Sequence, residues 1–356
     1  MDGLDPPLAP NRSIRHKARL VIKGYMQSDW GETYAPVGKF TTSRYLASLA
    51  TGYGLATDHM DVVTTFLNPH VDGPELCMEI PKGWDSGNDG GNTIGAGTII
   101  RLNKALYGLK QAPRLWYKDI DTFLQSLSFT QSRAGPSLYI YREGTALVLL
   151  LLYVNDISMA CPRNAVAVVK NIKAKLADKY RITNLGTARQ FLGIEITSGI
   201  AEGTNRHTIS LGQRAFIDPI LKRFRMENAH GAATPMDVNV KLDLAKDGEE
   251  RKADPTGYQA FVGSLMCVAL AARPDISFAV SALSRYNSCP LESNLTATKR
   301  VLRFLKSTAH HRLHFSSEGD SQHRLVHSGS KGDSAITGYT DSDWANNSTN
   351  RKSQGG

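Results

Sequence analysis

Ala146-Leu147-Val148-Leu149-Leu150-Leu151-Leu152-Tyr153-Val154-Asn155-Asp156-Ile157-Ser158-Met159-Ala160 is the stretch on which the fold turns. Its apolar run is too short to span a bilayer and reads as a buried strand. The run breaks at a polar, acidic pair and resumes with Ile157-Ser158-Met159-Ala160. That pattern predicts a β-hairpin with Asn155-Asp156 at its turn, lifting a carboxylate out of a core.

Working outward, Leu138–Arg142 is a second strand, joined to the first by a turn at Glu143-Gly144. Trp116, Ile120, Phe123, Leu124 and Leu127 recur at helical spacing and predict a helix over Pro113–Ser128. Val169, Ile172, Leu176 and Tyr180 mark the next helix, and Phe191–Thr197 opens a hairpin closed by Thr208–Leu211. Towards the N-terminus the expected elements are a strand at Ala18–Lys23, a capped helix at Thr42–Thr51 and a strand at Ala56–Phe66. Beyond Gln213 helices dominate: Phe216–Phe224 with Pro219 as a kink, then Tyr258–Ala272, Ile276–Tyr286 and Asn294–Ser307. Glu227–Gly257 reads as a linker wrapping the surface, Asp85–Gly97 as a surface insertion and Ser316–Ser334 as a second linker before a strand at Ala335–Thr340. Antiparallel hairpins among helices predict a mixed α+β fold rather than a doubly wound parallel one.

The chain has 356 residues, enough for two or three domains, and its 41% hydrophobic content excludes a disordered protein. The N-terminus lacks a basic flank followed by an apolar core, so a cytoplasmic or nuclear location is expected and no membrane partner. Cys77, Cys161, Cys267 and Cys289 stand far apart without metal-binding spacing and read as buried thiols of a reducing compartment. A formal charge of +9 favours a polyanionic partner. On the helix predicted at Thr296–Thr308, Lys299, Arg303 and Lys306 share one face, which is either solvated or tracks phosphates.

Met60-Asp61-Val62-Val63-Thr64-Thr65-Phe66-Leu67-Asn68 is the second informative segment. Asp61 by itself could simply end a strand. Together with Asp156 it becomes a candidate two-carboxylate site, because phosphoryl transfer assisted by Mg2+ needs hard anionic oxygens converging from separate strands. No Gly-x-x-x-x-Gly-Lys loop competes with this reading.

Further motifs follow in a fixed order: Lys17-Ala18-Arg19-Leu20-Val21 with Gly24 and Gln27, Thr33-Tyr34-Ala35-Pro36-Val37, and Leu106-Tyr107-Gly108-Leu109-Lys110-Gln111-Ala112-Pro113-Arg114 with Trp116-Tyr117. Then come Phe191-Leu192-Gly193-Ile194, Thr234-Pro235-Met236, Arg273-Pro274-Asp275 and Asp341-Ser342-Asp343-Trp344-Ala345. With these segments the chain resembles the polymerase region of copia-type LTR retrotransposons (Pseudoviridae), over roughly residues 12 to 353.

The resemblance implies a right-hand polymerase: fingers and palm over 1–200, thumb and connection over 201–315, then a linker and the truncated start of an RNase H domain over 316–356. It implies an RNA-directed DNA polymerase with Mg2+ or Mn2+ as cofactor, and with an RNA or DNA template-primer and a dNTP as partners. Asp61 and Asp156 resemble the metal-binding aspartates, and Asn155 stands where the family has the first aspartate of Tyr-Val-Asp-Asp. That substitution removes one negative charge from the site, so reduced or absent activity is expected. Lys17 and Arg19 resemble residues gripping the triphosphate, although as isolated cations they carry no such meaning. Phe66 resembles the gate against a ribose 2′-hydroxyl, and is equally compatible with a core aromatic. Tyr107 and Gly108 resemble residues beside the nucleotide, where glycine permits close backbone approach. Phe191, Leu192 and Gly193 resemble the primer grip; Lys110 and Arg114 are phosphate contacts or solvated cations. Asp341 is similar to the first RNase H aspartate, which needs further carboxylates, so no RNase H activity is expected. The alternative is a catalytically dead, nucleic-acid-binding relict of a transposon polyprotein.

Overall fold

The structure, a computed structural model, describes residues 19–27, 31–73, 75–81, 97–133, 135–237, 242 and 253–317. The chain divides into a smaller unit, residues 1–36 and 64–124, and a larger one, residues 37–63 and 125–356. Helix α1 (Phe40–Gly52) and strand β1 (Ala56–Val62) belong to the larger unit.

The smaller unit pairs β2 (Cys77–Glu79) with β3 (Ile99–Arg101) and contains most of α2 (Ala112–Ser126). Its core gathers Leu76, Ala105, Leu109, Ala112 and Leu115, with Phe66 and Ile22 packed against them. No strand forms over the described residues 19–23, contrary to the sequence expectation; irregular backbone leads into a single 3-10 turn at Gly24–Met26. Apolar, β-prone residues make a strand only against a ladder partner. This segment instead docks through Ile22 N–H on Tyr107 O, at 2.8 Å.

In the larger unit, β4 (Phe129–Ser132), β5 (Gly135–Glu143), β6 (Ala146–Tyr153), β7 (Asp156–Cys161) and β8 (Ile182–Gly186) join β1 in one antiparallel sheet. The order is β4-β5-β6-β7-β1-β8, so β1 is inserted between the hairpin strand β7 and β8. Helix α3 (Val166–Lys179) lies between β7 and β8 in sequence. A second antiparallel sheet, β12-β11-β10-β9, comprises β9 (Gln190–Phe191), β10 (Ile194–Ile200), β11 (His207–Gly212) and β12 (Leu313–Ser316). Helices α4 (Arg214–Arg223), α5 (Pro255–Ala271), α6 (Ser277–Ser284) and α7 (Glu292–Ser307) complete the unit. The mixed helix-and-sheet class with antiparallel sheets agrees with the sequence reading. Strand β12, far from its partner β11 in sequence, lies where a connection running into a linker was expected.

Why β6 is apolar at every position follows from its surroundings. Leu147, Leu149 and Leu151 share one face and pack in a core with Leu46 and Ala50 of α1 and Phe191, Ile194, Ile209 and Leu211 of the small sheet. The opposite face carries Val148, Leu150 and Leu152, all buried. Helix α3 is anchored on that side of the sheet by Lys173 Nζ, 2.7 Å from Asp58 Oδ2. Burying each leucine contributes roughly 1.5–3 kcal/mol, so the hairpin is among the most strongly held parts of the unit.

The helices build a separate core from Ile217, Phe261, Leu265, Val280, Leu302 and their neighbours, with Phe224 stacked on Phe261 at 3.9 Å between centroids. Helix α5 begins on an Asp254 cap that accepts the N–H groups of Thr256 and Gly257, with Pro255 at the first helical position. Arg273, 1% exposed, binds both Asp275 oxygens and the carbonyl and hydroxyl of Thr308, tying the end of α5 to the end of α7. The Arg273-Pro274-Asp275 motif is thus a structural staple. Among the cysteines only Cys161 is buried; Cys77 and Cys267 are exposed and Cys289 is intermediate, which corrects the expectation of four buried thiols. Cys77 and Cys267 sit on a short edge strand and on a helix face outside the core, where spacing alone does not reveal exposure. No described helix is long and apolar enough to cross a membrane.

Candidate active site

The hairpin between β6 and β7 closes with the pair Tyr153–Asp156, so the two turn residues are Val154 and Asn155. This moves the turn one residue from its expected place and makes Asp156 the first residue of a strand. Val154 adopts a φ of 53°, a left-handed conformation costing a β-branched residue on the order of 1–2 kcal/mol. The buried strands on either side hold it there.

Strand β1 lies against this hairpin in a register that pairs Asp61 directly with Asp156, and on its other side with Thr183 of β8. Directly opposed residues project to the same face, with Cβ atoms about 4.5–5.5 Å apart. The two carboxylates, distant in the chain, are therefore neighbours on one surface of the sheet. Asn155 is bound to β1 twice: its carbonyl accepts Val62 N–H at 2.8 Å, and its side-chain amide donates to Asp61 Oδ2. A carboxylate can only accept, so the amide nitrogen must face it. Adjacent residues of the hairpin point in different directions, and Asp156 Oδ1 turns instead to His59 Nε2, at 3.1 Å.

No motif marks His59 in the sequence, although its position two residues before Asp61 on a strand puts both on one face. A cavity of about 460 Å³ opens beside it, lined by His59, Asp156, Arg189, Phe191, Leu192 and Gly193 among others. Phe191 pairs with Ile194, and Leu192-Gly193 form the tight turn between them with φ of 55° and 75°. Two positive angles in succession are what a two-residue hairpin turn of matching twist demands. The structure thus brings together Asp61, Asn155, Asp156 and the segment Phe191–Gly193.

The remaining candidates lie in the smaller unit or outside the described residues. Lys17 and Asp341 fall outside them. Phe66 meets Tyr107 edge to face, with centroids 5.4 Å apart, and packs on the small core. The Arg19 guanidinium stands 6.0 Å from the Tyr107 ring. At Gly108, φ 94°, the close approach is by the chain itself: a Cβ would sit 2.1 Å from Ile22 O, and a Cβ on Gly24 1.8 Å from Gly108 O. Lys110 Nζ donates to Gln27 O at 2.9 Å and Arg114 to Asp72 at 3.2 Å, so both cations have internal partners.

The basic stripe on α7 receives a correction of the same kind. Arg303 donates to His230 O and Lys306 to Ala229 O, both at 2.7 Å, while Ser307 donates to Ala232 O. These side chains fasten the stretch 229–232, which precedes Thr234-Pro235-Met236, onto the helix. Lys299 alone of the three is exposed. Helical spacing reveals a shared face, but not what lies across it.

No group of three or more His, Cys, Asp or Glu is arranged to hold a metal ion among the described residues. Asp61 and Asp156 offer hard anionic oxygens on one face, with the Asn155 amide beside them. That donor set fits one Mg2+-like ion held by two carboxylates and completed by water and phosphate oxygens, since Mg2+ is commonly bound this way.

A family model described as reverse transcriptase (RNA-dependent DNA polymerase) matches residues 9–238. The retrovirus-related Pol polyprotein from transposon TNT 1-94 of Nicotiana tabacum is 35% identical over 96% of this chain and 24% of its own length. That from transposon RE1 of Arabidopsis thaliana is 34% identical over 93% of this chain and 21% of its own length. A transposon Ty5-1 protein of Saccharomyces cerevisiae is 30% identical over 70% of this chain and 76% of its own length. The chain spans about a quarter of the length of the first of these relatives.

Proposed function

Since the chain belongs to the reverse transcriptase family of copia-type retrotransposon Pol polyproteins, we propose that it is the polymerase region of such a polyprotein, with a site centred on Asp61 and Asp156. The observation that carries this reading is the direct cross-strand pairing of those two aspartates. We assign fingers and palm to residues 1–200, thumb and connection to 201–315, and the start of an RNase H region containing Asp341 to 316–356. The partners are an RNA or DNA template-primer and a dNTP.

In this reading Asp61 and Asp156 would hold Mg2+ or Mn2+ at the end of the sheet where the β6–β7 hairpin turns. A divalent ion bound there supplies neutralisation of the charge on the transferring phosphoryl group and polarisation of the primer 3′-hydroxyl. The β6–β7 hairpin orients Asp156 and strand β1 orients Asp61, and the Phe191-Leu192-Gly193 turn bears on the primer end. From the family resemblance we assign Lys17 and Arg19 to the triphosphate, Phe66 to the sugar, and Tyr107 and Gly108 to the nucleotide. Asn155 contributes no charge and engages an oxygen of Asp61, so turnover is strongly reduced.

Primer extension on an RNA template with Mg2+ or Mn2+ tests this. Incorporation should be weak in the natural chain, rise at least about tenfold in Asn155→Asp, and vanish in Asp61→Asn. Full activity with Asn155 in place would overturn the impairment. Activity indifferent to Asp61 would overturn the site. The occupied Asp61 oxygen also favours a second reading, a relict that binds template-primer without extending it. Steeply salt-dependent binding, with no incorporation by the natural chain or by the Asn155→Asp variant, would select it.

A further inference from the structure

His59 is the one histidine among the buried described residues, at 6% exposed. A buried imidazole must find hydrogen-bond partners, and the partner shown for its Nε2 is Asp156 Oδ1 at 3.1 Å. The ring also stands edge-on to Phe191, with centroids 5.7 Å apart and planes at 78°. Phe191 is the residue from which the Leu192-Gly193 turn springs. His59 therefore touches the acidic residue on one side and the base of the turn on the other, within the wall of a single cavity.

The backbone beneath His59 is fixed by a register shift and a chain of side-chain contacts. In the β1–β8 ladder His59 faces Gly186 and Met60 faces Asn184, which leaves Leu185 as an extra residue of β8. Such a bulge re-aims the neighbouring side chains and increases the local twist. Asp58, on the opposite face, accepts His59 N–H at 2.9 Å through Oδ1 and Lys173 Nζ at 2.7 Å through Oδ2. Lys173 also reaches Asn184 Oδ1 at 2.8 Å, and that oxygen accepts Gly186 N–H. The bulge and the Asp58–Lys173–Asn184 chain together fix the height from which the imidazole projects.

We propose that His59 is a positioning residue: it holds one oxygen of Asp156, leaves the other for the cation, and couples that carboxylate to the Phe191-Leu192-Gly193 turn. With Asn155 neutral, Asp61 and Asp156 are the charged ligands of the site among the described residues, so the orientation of Asp156 weighs more than it would beside a third carboxylate. This inference rests on the polymerase reading and deepens it. A site that senses the seating of the primer end through Phe191 binds its cation best when that turn is packed against His59.

The test is Mn2+ binding to the chain without nucleic acid, followed by electron paramagnetic resonance of the free ion, in the natural protein and in His59→Leu, His59→Gln, Phe191→Leu and Asp61→Asn. Losing an outer partner of a ligand commonly weakens metal affinity about 10–100-fold, and His59→Leu should fall in that range. Glutamine carries an N–H at a similar reach, so His59→Gln should stay within about threefold of the natural chain, a rescue that a purely space-filling role would not produce. Phe191→Leu, which keeps an apolar filling but removes the ring edge, should weaken Mn2+ by an intermediate factor. If His59→Leu does not fold, the glutamine and Phe191 variants decide. Unchanged Mn2+ affinity in His59→Leu, or equal loss in the leucine and glutamine variants, overturns the inference while Asp61→Asn still shows that the site exists. No Mn2+ binding in the natural chain, or binding indifferent to Asp61, overturns the polymerase reading together with it.

Discussion

The side-chain amide of Asn155 donates a hydrogen bond to Oδ2 of Asp61, between residues 94 positions apart in sequence. The contact satisfies the aspartate in the absence of a cation. It also occupies one carboxylate oxygen and offsets part of the negative potential that a cation would meet.

Replacing this donor by a carboxylate should therefore destabilise the fold while improving the site. Asn155→Asp exchanges a hydrogen bond for like-charge repulsion and should lose about 1–3 kcal/mol in metal-free buffer. Millimolar Mn2+ should restore much of it, because binding to the folded state alone raises stability by mass action. Thermal melts with and without Mn2+ read both effects. A variant equally stable in either buffer would show that the three side chains do not share a cation.

The Arg273 staple makes an asymmetric prediction. Asp275→Ala leaves a guanidinium that is 1% exposed without its counter-charge, and should cost about 3–5 kcal/mol in urea denaturation. Arg273→Met removes the buried charge itself and should cost less. The reverse order would mean that the hydrogen bonds to Thr308 outweigh the ion pair.

Gly108→Ala should undock the Ile22–Gly24 segment, since its Cβ would meet Ile22 O at 2.1 Å. The expected penalty is about 1–3 kcal/mol, visible as faster tryptic cleavage at exposed Arg19 and Lys23. Gly144→Ala is the control: φ is positive there too, but nothing lies within 4 Å, and about 1 kcal/mol is expected.

Tyr258 provides the alkaline prediction. Burial raises its phenol above the ordinary value, and its hydroxyl donates to Leu283 O at 2.9 Å. A raised folded-state value means that the stabilisation is complete below the unfolded value near 10 and is lost as pH climbs through the folded one. Tyr258→Phe should be less stable near neutrality by about 1 kcal/mol, yet should lose less than the natural chain between about pH 10 and pH 11. Urea titrations at about pH 8 and pH 11 compare the slopes.

Thiol labelling checks the cysteine correction. Exposed Cys77 and Cys267 should react promptly with a disulfide reagent in the native protein. Cys161 is buried in β7, and desolvation first, then the nearby Asp58 charge, pushes its thiol upward, so it should react only on unfolding. Rapid native labelling of Cys161 would mean that β7 opens locally.

Much of the fold was legible because its signals are local. The apolar run of β6, the periodicity of α2 and α3, and the β10–β11 hairpin all appear within a residue or a few of their expected bounds. Local signals mislead where an element needs a distant partner. Residues 19–23 are β-prone but have no ladder, and β12 is a strand only because β11 is there to pair with it. Arg303 and Lys306 formed a visible stripe, but the carbonyls that receive them belong to residues 229–230.

From its residues alone the chain declared its family, the hairpin that carries Asn155 and Asp156, and the second carboxylate at Asp61, since ordered motifs and hydrophobic periods are written along the sequence. Only the tertiary structure decided that Asp61 and Asp156 are direct partners, that the Asn155 amide faces Asp61, and that His59 holds Asp156. The reason is register: sliding one strand by a single residue would carry these side chains to the opposite face. The packing of α1, α3 and the small sheet on both sides of the large one selects the register, and no local rule along the chain contains it.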